Sequence, residues 1–244
     1  MRGWSAIYYR EMLILKRRFF KQLASMSVTP LLYIIAFGFG MGKDMSVNGR
    51  SYVEFLIPGL IAMSGMNHSF AIASEINITR FYWKIFEEFQ AAPIRNIAYV
   101  TGEVLAGVTR AAMSVVVIIA IAFVFGIHLS YGGWFWLGVF LNSFVFASIA
   151  VAAAMVVKSH ADQNMLTSFI ITPMAFLGGT VFPVEKLPGW AQAALNLLPL
   201  THASTIIRTA SFGAAPDPAP FLILVATSAV CFVLALYSVG EARN

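Results

Sequence analysis

Residues Ala98–Phe125 read AYVTGEVLAGVTRAAMSVVVIIAIAFVF, and this stretch decides the fold class. A helix rises 1.5 Å per residue and needs roughly 20 largely apolar residues to cross a bilayer. The stretch is longer than that and holds only two charged residues, Glu103 and Arg110. In lipid each backbone N–H and C=O must be paired within the protein, and a helix does this within its own segment. Five more apolar segments flank it, at 25–42, 52–74, 134–157, 166–182 and 221–239. The chain is therefore expected to be an all-α, polytopic membrane protein with six transmembrane helices. The fifth segment, 166–182, is the shortest and contains Pro173 and the Gly178-Gly179 pair, so a kink is expected there.

Composition points the same way. Of 244 residues 59% are hydrophobic and 11% charged, less than half the charge that usually covers a soluble domain. An ordinary soluble enzyme and a solvated disordered chain are both excluded. One cysteine, Cys231, gives no disulfide framework, and four scattered histidines give no metal-ligand cluster. The net charge of +5 is unevenly spread, because Arg2, Arg10, Lys16, Arg17, Arg18 and Lys21 all precede Gln22. No basic stripe with stacking aromatics continues downstream, so the expected partner is an anionic lipid surface and not nucleic acid. Trp4, Ile7, Tyr8, Met12, Leu15 and Phe19 recur at helical spacing, with Arg10, Arg17 and Lys21 elsewhere on the wheel. This predicts an amphipathic interfacial helix over 1–22, lying flat before the first span. The basic stretch is long for a signal peptide and no A-x-A site follows, so the first apolar segment is expected to be retained.

Positively charged loops stay in the cytoplasm. With the N-terminus inside, the inner segments carry eleven Lys and Arg and the outer ones four, which places both termini in the cytoplasm. Every loop is then too short for a catalytic domain of its own.

Between the second and third spans, Phe81, Ile85, Phe89 and Ala92 form an apolar stripe, Lys84, Glu87 and Glu88 are polar, and Pro93 is a stop. This predicts a short amphipathic cytoplasmic helix within 78–93. It would either rest on the membrane surface or meet a soluble partner, with Phe86 as an apolar knob beside the Glu87-Glu88 charges. Before the last span, residues 183–210 hold Pro183, Pro188 and Pro199 and two apolar runs too short to cross. They predict an outer re-entrant or interfacial hairpin.

Ser64, His68 and Glu75 share one face of the second span, either as a helix interface or as part of a substrate path. Glu103 and Arg110 lie two turns apart on one face of the third. An ionised arginine in the membrane costs at least about 2.5 kcal/mol on insertion scales, so Arg110 is expected to find a partner or water. Catalytic motifs fail on inspection. The glycine-rich run from Gly38 to Lys43 has Phe37 and Asp44 where a phosphate-binding loop needs glycine and serine or threonine. Ser64 and His68 on one helix lack an oxyanion hole and an orienting third group.

In this order of parts the chain resembles the type-2 ABC transporter permeases, a family that includes O-antigen, nodulation-factor and drug exporters. The segment Phe86-Glu-Glu-Phe-Gln-Ala-Ala-Pro93 is similar to the family's coupling-helix motif, although Lys84-Ile85 stands where many members have Gly-Thr. The more specific match runs from Gly178-Gly-Thr-Val-Phe-Pro183 through Leu187-Pro188 and Leu198-Pro-Leu-Thr-His202 to Arg208. The resemblance implies a half-transporter. A second permease copy or a paralogue completes the membrane pathway, and separate ATP-binding-cassette ATPase subunits bind ATP and Mg, with no cofactor in this chain. It implies that Phe81, Ile85, Phe86, Glu87, Glu88, Phe89 and Pro93 couple to the ATPase. Ser64, His68 and Glu75 would line the inner half of the path, and Phe182, His202 and Arg208 its outer exit. The cargo would be an amphipathic lipid, a lipid-linked glycan or a hydrophobic drug, moved outward. The alternatives are an ATPase-independent secondary transporter or channel, for which Glu103 and Arg110 are the best support, and a membrane scaffold.

Overall fold

The computed structural model describes residues 3–41, 46–47, 49–86, 92 and 94–243. Helix α1 is Gly3–Arg17; α2, Phe19–Tyr33, continues as a π-helix over Ile34–Met41. Two short strands, β1 Ser46–Val47 and β2 Arg50–Ser51, pair antiparallel and lead into α3, Tyr52–Phe70. Helix α4, Ile72–Asn77, and a π-helical turn, Ile78–Tyr82, extend it. Then come α5, Asn96–Val124, and α6, Gly133–Val156. Helix α7, His160–Leu166, a π-helical turn at Thr167–Ile171, and α8, Thr172–Leu177, follow one another directly. The chain ends with α9, Gly189–Leu195, α10, Pro199–Ser211, and α11, Pro218–Glu241.

Among the described residues, five helices are long and apolar enough to cross a membrane: Phe19–Phe37, Tyr52–Tyr82, Asn96–Val124, Gly133–Val156 and Pro218–Glu241. The segment expected as the fifth of six spans is not one of them. Its α7 end carries His160, Asp162, Gln163 and Asn164, and Pro173 opens α8 after the π-helical turn, so polarity and a broken hydrogen-bond ladder interrupt it.

Local chemistry sets the ends and bends. Ser51 caps α3 by accepting from the Glu54 amide at 3.3 Å, with Glu54 well placed in the positive first turn. Ser69 Oγ donates back to the Gly65 and Met66 carbonyls, at 2.7 and 3.0 Å, just before the break at Ala71; such back-bonding bends helices. Helix α3 is central, packed against α5, α6 and α10, with Leu56, Ile57, Leu60, Ile61 and Met66 fully buried. Asn142 of α6 donates to the Ala62 carbonyl at 2.9 Å, an interhelical hydrogen bond of the kind that joins helices where hydrophobicity gives no preference. The periphery is apolar. Helix α11 turns Leu222, Val230, Val233 and Leu234 outward, a surface suited to lipid tails.

Two sets of ties fix the ends of the bundle. At one end Arg80 donates to the Ala154 and Met155 carbonyls, at 3.0 and 2.7 Å, satisfying the unpaired C-terminal carbonyls of α6 with a cation. Asn77 Nδ2 donates to Gln163 Oε1 at 3.1 Å. Arg243, just past α11, donates to the Ile94 carbonyl and to Asn96 Oδ1, ahead of α5. At the opposite end the Tyr52 hydroxyl donates to the Val181 carbonyl at 2.7 Å, and the Ser130 amide to the Ser211 carbonyl.

Two expectations change. The helix expected within 78–93 does not run unbroken, because a bend at Trp83 and a positive φ of 54° at Lys84 stop the extension of α4. Phe81 therefore sits at the foot of the second span and not on one stripe with Ile85. The interfacial helix α1, expected to lie flat, is packed along α5, which shelters its apolar face.

Candidate functional site

Arg110 of α5 lies where three helices meet. Its Nη2 donates to Glu11 Oε2 of α1 at 2.9 Å and also to Glu75 Oε2 of α4. The arginine and Glu11 are almost fully buried, and Glu75 is about one third exposed. Arg10 Nη2 approaches the other Glu11 oxygen at 3.3 Å. Side chains on a helix lean toward its N-terminus, so Arg110 leans toward the end of the bundle that carries Tyr82 and Asn96. Burial pushes the Glu11 carboxyl above its usual range, against the pull of Arg10 and Arg110.

Arg110 finds the partner expected for it, and that partner is not Glu103 of its own helix. Glu103 is buried, and its Oε2 has no hydrogen-bond partner. Arg110 faces carboxylates from two other elements, which spacing along one helix could not reveal. Glu11 is the residue that sequence reasoning missed. Its signal was available: it is the sole carboxylate before Asp44, in an otherwise basic segment.

The ion pairs are the last step of a continuous seam. Gly3 packs on Ile94 and Ala98, and a Cβ on Gly102 would lie 2.8 Å from the Ile7 side chain. Above these the Tyr8 hydroxyl is 3.0 Å from Thr109 Oγ1, and then comes Glu11 on Arg110. A cleft of about 110 Å³ opens beside the seam, lined by Arg10, Glu11, Arg18, Glu75 and Trp83 among others.

The coupling candidates divide. Phe81 is partly exposed. Phe86, expected as a protruding knob, is 6% exposed and meets Tyr99 edge-on at 5.7 Å; the turn at Lys84 folds it back onto α5. Ile85 is half-buried. Glu87, Glu88, Phe89 and Pro93 lie outside the described residues. The most exposed aromatics here are Tyr82 and Trp83, 70% and 58% exposed, which the periodic stripe passed over.

Of the pathway candidates, Ser64 is buried and His68 half-buried, while Glu75 is held by Arg110. At the far end His202 Nε2 meets the Asn196 carbonyl at 2.8 Å. Arg208 donates to the Gly179 carbonyl at 2.8 Å, with the Phe55 and Thr180 carbonyls at 3.4 and 3.5 Å, and its guanidinium lies 3.9 Å over the Phe55 ring. His202 thus ties α10 to the end of α9, and Arg208 holds the turn at 178–181. Phe182 borders a cleft of about 360 Å³ with Phe37, Tyr52, Val181 and Lys186.

A bundle of long apolar helices, with Arg110 paired inside it to Glu11 and Glu75, defines a multi-pass helical membrane protein. The chain belongs to the ABC-2 type transporter family, whose pattern matches residues 2–212. It is similar to nodulation protein J of Rhizobium meliloti strain 1021, 30% identical over 86% of this chain and 82% of that protein. It is also similar to the inner membrane transport permease YadH of Escherichia coli K12, 27% identical over 95% and 90%. Nodulation protein J of Neorhizobium galegae is 29% identical over 96% and 89%. The chain is thus a membrane permease subunit of this transporter type.

Proposed function

We propose that the chain is one half of the membrane pathway of an ATP-driven exporter, coupled to separate ATPase subunits at the end of the bundle that carries Tyr82 and Asn96. The observation that carries this is the exposed aromatic cluster Phe81, Tyr82 and Trp83 at the foot of the second span. It stands on a braced platform. Arg80 ties it to the end of α6, Phe86 packs back on Tyr99, and Arg243 grips the Ile94 carbonyl and the Asn96 side chain. A rigid foot with exposed aromatics is the form of a contact that transmits force to a partner. Glu87 and Glu88 follow at once in sequence and would steer a basic partner groove. ATP and Mg bind the partner subunit, and a second permease copy or a paralogue completes the pathway.

Six crossings fit the connectivity. Helices α6 and α11 both end near Asn77 and Asn96, so the chain between them must return across the bundle. Gln163 meets Asn77 at one end and Val181 meets Tyr52 at the other, which supports 160–181 as the returning segment. The positive-inside count supports a cytoplasmic place for Tyr82 and both termini. The outer turn at 178–181 dips to Gly59, as a re-entrant element would. The relatives' names support a transported cargo, and the apolar cleft at Phe182 suits an amphipathic lipid, a lipid-linked glycan or a hydrophobic drug.

Purification of the tagged chain in mild detergent should bring down a near-stoichiometric ATPase subunit. Alanine at Tyr82 and Trp83 together should release that subunit or leave its ATP hydrolysis indifferent to the permease. Retention of both binding and permease-dependent hydrolysis would refute the contact. A chain that always purifies alone while folded would refute the ATPase-coupled function.

A further inference from the structure

Helix α1 joins the bundle through a seam that ends in a charge cluster, and nothing in an inert surface float requires one. A float needs an apolar face and a basic face. Here a carboxylate on that helix, Glu11, is almost fully buried against an arginine that simultaneously holds Glu75 on the second span. Burying such groups is costly unless each is matched, and removing one partner from a matched set is strongly unfavourable. The arrangement therefore resists separation of α1, α4 and α5 from one another. Helices α4 and α5 meet α1 at this cluster. Trp83, exposed just past the π-helical turn that extends α4, also borders the cleft whose wall is Glu11, Arg18 and Glu75. A push at Trp83 thus reaches α1 through two routes, the ion pairs and the cleft wall.

We infer that Glu11, Arg110 and Glu75 form a clamp that makes α1 a working part of the coupling machinery, carried with the second and third spans as one body. Arg110 is its positioning residue. This rests on the coupling function proposed above, so the test has an arm that needs no nucleotide.

Gly3 supplies the probe. A Cβ built there lies 3.5 Å from the Ala98 Cβ, at the short end of the separations that disulfides span. Gly3→Cys with Ala98→Cys, in an otherwise native chain whose Cys231 is buried, should cross-link readily in vesicles of phosphatidylethanolamine and phosphatidylglycerol. With the ATPase partner bound, closing the link should leave ATP hydrolysis within about twofold of the reduced form, because parts that move together lose nothing by being joined. Arg110→Gln should slow cross-linking about tenfold or more, since a buried pair has lost its cation. It should also detach hydrolysis from the permease. Closing the disulfide in that variant should restore permease-dependent hydrolysis, because the covalent link replaces the lost ion pairs. If Arg110→Gln does not accumulate, Glu11→Gln keeps a hydrogen bond to Arg110 while removing the charge, and should show the same changes at smaller size.

Cross-linking that is indifferent to Arg110 and Glu11 would overturn the clamp. Hydrolysis that stops on cross-linking and returns on reduction would overturn the single moving body, because α1 would then have to leave α5 in each cycle. Failure of the coupling function itself would appear separately, as a native chain with no ATPase partner whose cross-linking still depends on Arg110; that result keeps the clamp and removes its role in coupling.

Discussion

Gly59→Val is expected to be the most damaging single substitution in the chain. A Cβ at residue 59 would lie 1.9 Å from the Thr180 carbonyl oxygen and 2.7 Å from its carbon, inside any contact distance. The obstacle is backbone, which cannot rotate aside as a side chain can. Overpacking usually costs about 1 to 3 kcal/mol. Here the outer turn must leave the second span, so the cost should exceed about 3 kcal/mol, a large part of the 5 to 15 kcal/mol that holds an ordinary domain together. The observable is the fraction of protein that stays monodisperse in detergent on heating. A Gly59→Val chain that melts with the native one would show that the turn at 178–181 does not sit on α3.

Arg208→Met should come second. Methionine keeps much of the length and apolar bulk but removes the donors that reach the Gly179, Thr180 and Phe55 carbonyls, and the cation over the Phe55 ring. Hydrogen bonds to charged groups are worth about 1.5 to 3 kcal/mol each, and a desolvated cation–π contact about 2. Allowing for the longer two of the three contacts, a loss of about 3 kcal/mol is expected. Arg208→Lys should recover only part of it, because one ammonium cannot reproduce the guanidinium fork. Limited proteolysis between Gly178 and Pro188 reads the effect directly. Unchanged cutting in Arg208→Met would mean that the arginine does not hold the turn.

These two positions show what a sequence can and cannot display. The long apolar helices were legible because each carries its signal within itself, as in Ala98–Phe125, where length and hydrophobicity suffice. The segment from His160 to Leu177 was less legible, since its polar start and π-helical turn weaken that same signal. Gly59 lies in a helix rich in small and apolar residues, and nothing in its neighbours announces a carbonyl from residue 180. Arg110 was recognisable as a group that needed a partner. The identity of that partner depended on how α1 and α4 pack, which spacing along α5 does not display. Phe86 failed for a related reason. Helical periodicity said which residues share a face, but the left-handed turn at Lys84 decided which way that face points. The positions of Glu87, Glu88, Phe89 and Pro93 fall outside the described residues, and their part in coupling rests on the sequence pattern.

The grip of Arg243 on the Ile94 carbonyl and on Asn96 also bears on biosynthesis. Residue 243 is made only after every long helix has been synthesised. This tie to the segment leading into α5 therefore cannot form while α5, α6 and α11 are still being inserted. That end of the bundle, proposed above to meet the ATPase, thus lacks this brace until α11 is in place. On that proposal the tie would favour association of an ATPase subunit with chains in which α11 has already been inserted.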